Sequence, residues 1–203
     1  MKTRRYIPTF VMMISGLLLI SCLLPGMISL NQTPAADVMP TMEKDANKVI
    51  EALTNNKVVR LETLAKEQYT DQDASKPGTI TYSPTITDDM PTYFSYGWCT
   101  TSEDILTKNF EHIKVSLYFD DKQLGKDVVH PLSFTRTDGL VCADFGVLMT
   151  DWTNGEYTLK AVATFDDKIN DGIADYAAGD YIFVYNVTVK KGENNSPTPS
   201  PSP

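Results

Sequence analysis

The 203-residue chain predicts a mainly β fold, an antiparallel sandwich preceded by a helical hairpin. Two observations predict it. From Thr79 onward the hydrophobic period changes from about 3.6 to about 2 residues, and many short alternating segments follow, separated by turn residues. Strands that follow little helix are typical of an antiparallel sandwich, because a parallel sheet needs helices between its strands.

The beginning of the chain predicts export. Lys2, Arg4 and Arg5 give a basic start, and residues 10–24 form an apolar run. A basic segment followed by such a run is typical of an export signal, because the positive charge stays on the cytoplasmic side. We therefore expect the chain from about Asp37 onward to lie in the cell envelope or beyond it, on the outer face of the cytoplasmic membrane. The N-terminus is the expected membrane contact.

Three forms of this leader, residues 1–30, remain open. The tetrapeptide Leu19-Ile20-Ser21-Cys22 resembles the lipobox of bacterial lipoproteins, which implies cleavage before Cys22 and a diacylglycerol group on its sulfur. An uncleaved anchor is the second form, since residues 10–30 can cross the roughly 30 Å hydrocarbon core at about 1.5 Å per residue. Cleavage near Ala35-Ala36, which releases a secreted protein, is the third. We favour the lipoprotein form.

The charge of the chain argues against nucleic acid as a partner. It has 18 Lys and Arg against 26 Asp and Glu, a net charge of −8, which becomes −11 without Lys2, Arg4 and Arg5. Such a surface repels phosphate backbones, and the sequence has no basic stripe with interleaved aromatic residues. Cations and neutral ligands are the partners that an acidic protein favours.

Four segments follow the leader. Residues 31–42 are expected to be a spacer, residues 43–70 a helical hairpin, residues 77–191 the sandwich domain and residues 192–203 a disordered Pro/Ser tail. In the hairpin, apolar residues recur at helical spacing on both sides of Asn55-Asn56, which predicts two helices joined by a tight turn and packed on the sheets. The apolar positions are Ala46, Val49, Ile50, Leu53, Val58, Leu61, Leu64, Ala65 and Tyr69.

The sandwich domain is predicted to contain strands at short intervals and one short helix. The clearest strands are the last two, at 157–165 and 181–190, where apolar and polar side chains alternate. A capping box at residues 101–104 predicts one or two helical turns that end at Asn109. The other strand candidates are residues 79–83, 85–87, 92–98, 113–119, 122–124, 128–129, 132–135 and 140–149.

One late strand carries a family resemblance. In immunoglobulin-like domains such a strand opens with Gly-x-Tyr-x-Cys/Leu, and a similar element is present here in Trp152-Thr153-Asn154-Gly155-Glu156-Tyr157-Thr158-Leu159. The final strand also resembles the closing strand of exported bacterial modules of this kind. The resemblance covers residues 77–191 and implies an immunoglobulin-like or fibronectin-type-III-like sandwich. Leu159 stands where an antibody domain has its second Cys, and Trp98 adjoins Cys99, so an antibody-type domain is not implied.

The two predicted helices support an alternative fold. They resemble the opening helices of nuclear-transport-factor-2-like cone folds, and this resemblance implies an α+β fold with a pocket inside one curved sheet. We favour the sandwich, because the number of strands after Pro77 suits it better.

Cys99 and Cys142 are predicted to form a disulfide. Once Cys22 is lipidated or removed they are the remaining pair, and such pairs form disulfides in an oxidising compartment. The bond would constrain the unfolded chain by roughly 4 kcal/mol in the loop-entropy model. Two buried thiols are the alternative.

The connection between the last two strands has a partial calcium-loop pattern. Counting from Asp167, oxygen-bearing side chains fall at Asn170, Asp171 and Asp175, and Gly172 stands at the position where such loops turn sharply. Asp167, Asn170, Asp171 and Asp175 are the candidate calcium ligands, and we expect no other cofactor. A polar hairpin turn at Asn170-Asp171-Gly172 is the interpretation that we favour.

The residues predict a binding or structural role, with no catalytic residues. The two histidines, His112 and His130, are expected to be surface or capping residues, and the sequence has no nucleophile elbow, zinc-protease helix or Gly-rich phosphate loop. We hypothesise a non-catalytic envelope module that uses its loops at 166–180, 120–121 and 100–104 to contact a protein or carbohydrate ligand. A small-ligand-binding lipoprotein or a cone-fold pocket protein is the alternative, and an envelope hydrolase is the third hypothesis.

Carbohydrate is included because aromatic side chains can form a platform for sugar rings. We favour packing as the role of these residues, because aromatics on strands ordinarily belong to the core. The residues concerned are Tyr93, Phe94, Tyr96, Trp98, Tyr118, Trp152 and Tyr176.

Overall fold

The computed structural model describes residues 38–68 and 74–192, apart from the side chains of residues 67 and 68. The leader with Cys22, most of the spacer and residues 193–203 of the tail lie outside the described residues, so the statements made about them remain predictions. Within residues 38–68 and 74–192, no helix combines the length and the apolar character that a membrane crossing requires.

The described residues form three helices and thirteen strands, which makes the protein mainly β as predicted. The helices are α1 (Ala46–Thr54), α2 (Leu61–Gln68) and α3 (Glu103–Asn109). The strands are β1 (Thr41–Met42), β2 (Val59–Arg60), β3 (Gly78–Tyr82), β4 (Thr85–Thr87), β5 (Thr92–Thr100), β6 (Ile113–Phe119), β7 (Lys122–Gln123), β8 (His130–Thr135), β9 (Val141–Thr150), β10 (Gly155–Phe165), β11 (Ile169–Asn170), β12 (Asp175–Tyr176) and β13 (Gly179–Lys190).

These strands form two main sheets and one small ribbon. In the five-stranded sheet the order is β1-β9-β5-β2, and β8 also pairs with β9, on the side away from β5. In the six-stranded sheet the order is β3-β13-β10-β6-β7, and β4 also pairs with β13. β11 and β12 pair with each other as an antiparallel ribbon.

Three short strands pair in parallel, so the prediction of a purely antiparallel arrangement is wrong and the sheets are mixed. β3 and β4 run parallel to β13, and β2 runs parallel to β5. A hairpin can join only antiparallel neighbours, whereas parallel neighbours need a long connection. Each of these strands is separated from its partner by other elements, which is the connection that parallel pairing requires.

β10 and β13 confirm the strands predicted at 157–165 and 181–190. They pair along the whole of β10, from Gly155 opposite Val189 to Phe165 opposite Gly179. Alternate side chains of β10 point into the core, as the sequence alternation predicts. The buried residues, each 3% exposed or less, are Tyr157, Leu159, Ala161, Ala163 and Phe165.

The two main sheets face each other across one apolar core. The rings of Phe94 on β5 and Tyr185 on β13 lie with centroids 5.5 Å apart, and those of Trp98 on β5 and Phe165 on β10 lie 5.2 Å apart. The single curved sheet of the cone-fold alternative is therefore not what the described strands form.

The helical hairpin predicted for residues 43–70 is not confirmed. Two helices form, but the Val59–Arg60 segment between them is β2, which pairs with Thr92 and Tyr93 of β5. Asn56, with a φ of 51°, follows the end of α1, and the chain then becomes extended. A β-branched residue such as Val59 suits a strand, and pairing with β5 satisfies its backbone.

The two helices pack on different surfaces. Val49 of α1 is fully buried against Tyr93 and Leu148, on the face of the five-stranded sheet that points away from the six-stranded sheet. We call this the outer face. Leu61 and Ala65 of α2 instead belong to the core between the sheets. The five-stranded sheet is therefore covered on its outer face by one short helix.

The predicted disulfide is present. Cys99 on β5 and Cys142 on β9 lie directly opposite each other and are bonded, with their Cα atoms 4.0 Å apart. Successive side chains of a strand point to opposite faces, and Trp98 points into the core. The disulfide therefore lies on the outer face, where Cys142 is fully buried.

Candidate functional site

A groove lies on the outer face of the five-stranded sheet, between α1 and β8. Its volume is about 480 Å³, within the range of about 300–1,000 Å³ that small-molecule sites occupy. A second depression of about 300 Å³ shares Leu53 and Arg60 with it. We call the larger one the α1–β8 groove. It is lined by Ile50, Leu53, Thr54, Arg60, Pro131, Leu132, Ser133 and Phe134.

Both walls of the α1–β8 groove carry an exposed apolar side chain. Ile50 on α1 is 47% exposed, and Phe134 on β8 is 43% exposed. Val49 points to the sheet, and a helix turns by about 100° per residue, so Ile50 lies beside the buried face of α1. Phe134 stands opposite Cys142 in the register of β8 and β9, on the outer face. The sheet register and the helix period together bring these two side chains to one concave surface.

Arg60 forms the polar part of the groove. It stands opposite Tyr93 on β5, and its guanidinium carbon lies 5.5 Å from the centroid of the Tyr93 ring. Its Nη1 lies 3.9 Å from Oδ2 of Asp144 on β9. The Arg60 side chain is 45% exposed, whereas the Asp144 side chain is 7% exposed. The guanidinium therefore covers a buried acidic group and still reaches the solvent.

Asp144 and Tyr93 form an unusual buried pair beneath Arg60. Burial raises the pKa of Asp144, while the Ser95 hydroxyl and the charge of Arg60 act in the opposite direction. Burial also raises the pKa of Tyr93, and the negative charge of Asp144 adds to that rise. Asp144 Oδ1 and the Tyr93 hydroxyl are buried and find no hydrogen-bond partner of good geometry among the described residues. Such groups cost about 1–3 kcal/mol each.

Two glycines lie beside this pair, and one of them makes room for it. The Tyr93 ring lies over Gly146 of β9, so that a Cβ at Gly146 would overlap the ring. Gly97 on β5 stands opposite Asp144, and a Cβ there would lie 3.5 Å from Asp144 Oδ1. Gly146 therefore leaves the space that the Tyr93 ring occupies, and Gly97 does not crowd Asp144.

The four predicted calcium ligands lie in the β11–β12 ribbon and its neighbouring loop, where their side chains bond to the ribbon itself. Asp171 Oδ1 accepts hydrogen bonds from the backbone N–H groups of Ile173 and Ala174, and its Oδ2 accepts one from the Tyr176 hydroxyl. Asp175 accepts from Asn170 Nδ2 at 2.8 Å. These bonds stabilise a polar hairpin connection, the interpretation that the sequence favours.

Lys168 adds two contacts to this segment. Lys168 Nζ lies 2.7 Å from Asp175 Oδ2, and its backbone N–H donates to Asp167 Oδ1. In residues 38–68 and 74–192, the structure places no three His, Cys, Asp or Glu side chains where they could share a metal ion. Calcium binding by Asp167, Asn170, Asp171 and Asp175 stays a prediction.

The loops predicted to make contacts lie at both ends of β10. The backbone N–H of Thr101 donates to the Asp171 carbonyl, so residues 100–104 and the β11–β12 ribbon meet at one end. At the other end, Asp120 Oδ1 accepts from the backbone N–H of Thr158, and Asp121 pairs with Lys160 at 3.2 Å. The structure therefore brings two of the three predicted loops together and separates the third.

The two histidines differ in their surroundings. His112 Nδ1 lies 2.8 Å from Asp166 Oδ1, and this hydrogen bond is the main cause of the lowered pKa of Asp166. His130, expected to be a surface or capping residue, is buried, and its Nε2 lies 3.0 Å from the carbonyl oxygen of Glu43, within hydrogen-bond distance. That bond joins β8 to the chain that follows β1.

Most of the aromatic side chains proposed as a sugar platform belong to the core, which confirms packing as their main role. Tyr118 and Tyr176 are the partly buried members of the set. The buried members, each 9% exposed or less, are Tyr93, Phe94, Tyr96, Trp98 and Trp152.

Sequence reasoning did not single out the groove. Arg60 on β2 is distant in the chain from Phe134 on β8 and Asp144 on β9, and their meeting depends on the pairing register. One signal was available, since Cys142, Asp144 and Gly146 alternate along β9 and therefore share a face.

Comparison with known proteins gives little further information. No family model matches the chain, and no curated protein matches it. Among solved structures, the chain is similar to a chain in the structure of PbICP-C in complex with falcipain-2, with a TM-score of 0.33 and 9% identity. The alignment covers 57% of this chain and 92% of that one. At this TM-score we draw no conclusion about fold or function from the similarity.

Proposed function

We propose that this protein is a non-catalytic binding module of the cell envelope and that its ligand lies in the α1–β8 groove. The observation that carries the proposal is the pair of exposed apolar side chains, Ile50 and Phe134, on the two walls of that groove. Concave sites of this volume with apolar walls and few polar groups are the usual form of ligand sites.

The polar groups of the groove support binding rather than catalysis. A guanidinium has five N–H donors and no acceptor atom, so Arg60 can orient a ligand but does not serve as a general base. The Thr54 hydroxyl already donates to the Ile50 carbonyl at 2.8 Å. The carboxylate nearest to Arg60, that of Asp144, lies beneath it with a side chain that is 7% exposed.

We propose the envelope as the location and the lipoprotein as the form. The basic and apolar leader supports both, and a disulfide is typical of proteins in oxidising compartments. Mass spectrometry of the mature N-terminus tests this, with a diacylglycerol-modified Cys22 as the expected first residue. An unmodified start beyond Cys22 would contradict the lipoprotein form, and recovery of the intact leader in cytosol with free thiols would contradict export.

We further propose that residues 77–191 form an immunoglobulin-like or fibronectin-type-III-like sandwich. The support is the pair of main sheets that share one core and the Gly155-Glu156-Tyr157 element, which opens β10 with a buried Tyr157. An experimental structure whose strand order matches no sandwich of this class would contradict the assignment.

Labelling with an uncharged apolar photoprobe tests the groove as a binding site. The full chain in lipid nanodiscs is exposed to decanol that carries a diazirine, and labelled peptides are mapped by mass spectrometry. We expect label on the peptides that contain Ile50 and Phe134, and we expect Phe134→Glu to remove it, because a charge on the wall opposes an apolar ligand.

Ile173→Glu is the matched control, because Ile173 is 72% exposed in the β11–β12 connection and does not line the groove. It should leave the labelling unchanged. Labelling spread evenly over the surface, or labelling that Phe134→Glu does not reduce, would contradict the proposed site.

A second candidate is a loop-mediated contact with a protein partner. The observation that favours it is Ile173, the most exposed of the large apolar side chains in the described residues. Under this candidate, Ile173→Glu reduces partner binding, whereas Phe134→Glu leaves it unchanged.

A further inference from the structure

We infer that the α1–β8 groove binds a free medium-chain fatty acid, with the carboxylate on Arg60 and the hydrocarbon chain between Ile50 and Phe134. The inference rests on the proposed function and adds the chemical class of the ligand.

The charge of the groove selects an anion. Arg60 is the single charged residue among the described residues that line it, in a protein whose net charge is −8. A cation would meet this guanidinium without a compensating carboxylate at the surface of the groove. A carboxylate matches it, because the planar guanidinium donates two parallel hydrogen bonds to the two oxygens.

Arg60 has donors to spare for such a ligand. Its contact with Asp144 is a single ion pair of 3.9 Å, longer than a hydrogen bond, and a guanidinium has five N–H donors. The Tyr93 ring and Asp144 hold the guanidinium from below, while 45% of the side chain is exposed. The donor group is therefore positioned before the ligand arrives, which lowers the entropic cost of binding.

The same contacts limit the charge of the ligand to one. Asp144 already offsets part of the positive charge of Arg60, so a dianionic phosphate would add excess negative charge to an acidic protein. Among the described residues that line the groove, Arg60 is the one cationic residue, and the hydroxyls of Thr54 and Ser133 are the other polar side-chain groups. A monocarboxylate therefore fits better than a phosphate.

The walls select a hydrocarbon chain. Ile50 and Phe134 are exposed on opposite walls, and Leu53, Pro131 and Leu132 complete the apolar lining. A volume of about 480 Å³ suits a small molecule rather than a folded partner. Each methylene buried there should tighten binding about fourfold, until the groove is filled.

The test compares two photoprobes of equal length, diazirine-bearing decanoate and diazirine-bearing decanol, on the full chain in nanodiscs. We expect decanoate to label the peptides that contain Ile50 and Phe134 at concentrations about 10- to 100-fold lower than decanol, the range of a charge-assisted hydrogen bond. Arg60→Gln should bring decanoate to the level of decanol and leave decanol unchanged. Arg60→Lys, which keeps the charge without the planar fork, should lose part of the preference.

Arg136→Gln is the matched control, because Arg136 is a half-exposed arginine on the loop after β8 and pairs with Asp138. It should leave the labelling by both probes unchanged. Equal labelling by the two probes in the wild type would overturn the carboxylate inference but leave the groove as a binding site. The absence of groove labelling by either probe would overturn the proposed function as well.

Two further outcomes would also overturn the inference. A photoprobe peptide with a C-terminal Leu that labels the groove better than decanoate would assign the site to peptides. If Arg60→Gln lowers the urea unfolding midpoint, the comparison uses Arg60→Lys in its place. An Arg60→Lys variant that labels with the full wild-type preference for decanoate over decanol would show that the guanidinium is not required for that preference.

Discussion

Replacement of Gly146 by alanine is expected to destabilise the protein by about 1–2 kcal/mol, because the Tyr93 ring occupies the space that a Cβ would need. Tyr93 is 1% exposed and packs with Val49 and Leu148, so its ring cannot move away without disturbing α1. Overpacking of this kind costs about 1–3 kcal/mol, and the reduced freedom of the unfolded chain offsets about 0.4–1 kcal/mol.

Gly97→Ala is the matched control for this experiment. Gly97 lies on the neighbouring strand and on the same outer face, and neither glycine has a positive φ. A Cβ at Gly97 would lie 3.5 Å from its nearest neighbour, Asp144 Oδ1, which is an ordinary contact. This variant should therefore be as stable as the wild type or slightly more stable.

Urea unfolding followed by circular dichroism, with the disulfide intact, measures both variants. A loss of about 1–2 kcal/mol should also lower Tm by about 2–8 °C in a chain of this length. If Gly146→Ala unfolds at the wild-type midpoint, the ring does not need the space over Gly146. If Gly97→Ala loses as much, the effect belongs to strand glycines in general and not to Tyr93.

Two further predictions concern the same face. Replacement of both Cys99 and Cys142 by Ser should lower the free energy of unfolding by about 4 kcal/mol, since the bond spans a sequence separation of 43; an unchanged urea midpoint would contradict this. Burial raises the pKa of Asp144 in the folded state, so the stability from this carboxyl is present in full below about pH 4 and is lost as the pH rises to the folded pKa. Asp144→Asn should remove that loss. The free energy of unfolding of the variant, relative to that of the wild type, should therefore increase between about pH 4 and pH 7. Urea unfolding midpoints at several pH values measure this difference. A difference in stability between variant and wild type that does not change with pH would contradict the raised pKa of Asp144.

Much of the fold could be predicted because local alternation specifies a strand and its buried face. The residues of β10 alternate in this way, and their side chains are buried as expected. Pairing direction at the edges could not be predicted, because nothing within residues 78–82 indicates that β3 runs parallel to β13. The break between the helices was predicted as a turn, but β2 was missed, because Val58 and Leu61 fit a helical spacing while Val59 and Arg60 are held extended by β5.

The candidate site was harder to predict than the fold. A hydrophobic pattern predicts which residues are buried. Ile50 and Phe134 are apolar residues that are exposed in the structure, so such a pattern does not single them out as site residues. Their proximity follows from the packing of α1 on the outer face beside β8, and the position of Arg60 above Asp144 follows from the pairing of β2 with the distant strand β5. The disulfide could be predicted because, with Cys22 assigned to the leader, Cys99 and Cys142 leave one pairing.

The position of β13 has a consequence for biosynthesis. Among the described residues it is the last strand in chain order, and it pairs with β10 on one side and with β3 and β4 on the other. A nascent chain that ends before residue 179 therefore offers β3 and β4 no neighbour, although they emerged from the ribosome about a hundred residues earlier. These pairs join segments that are far apart in the chain, so the six-stranded sheet cannot be completed before β13 has been synthesised. Until then the unfinished chain exposes unpaired strand edges, which chaperones recognise and which must be kept from aggregating.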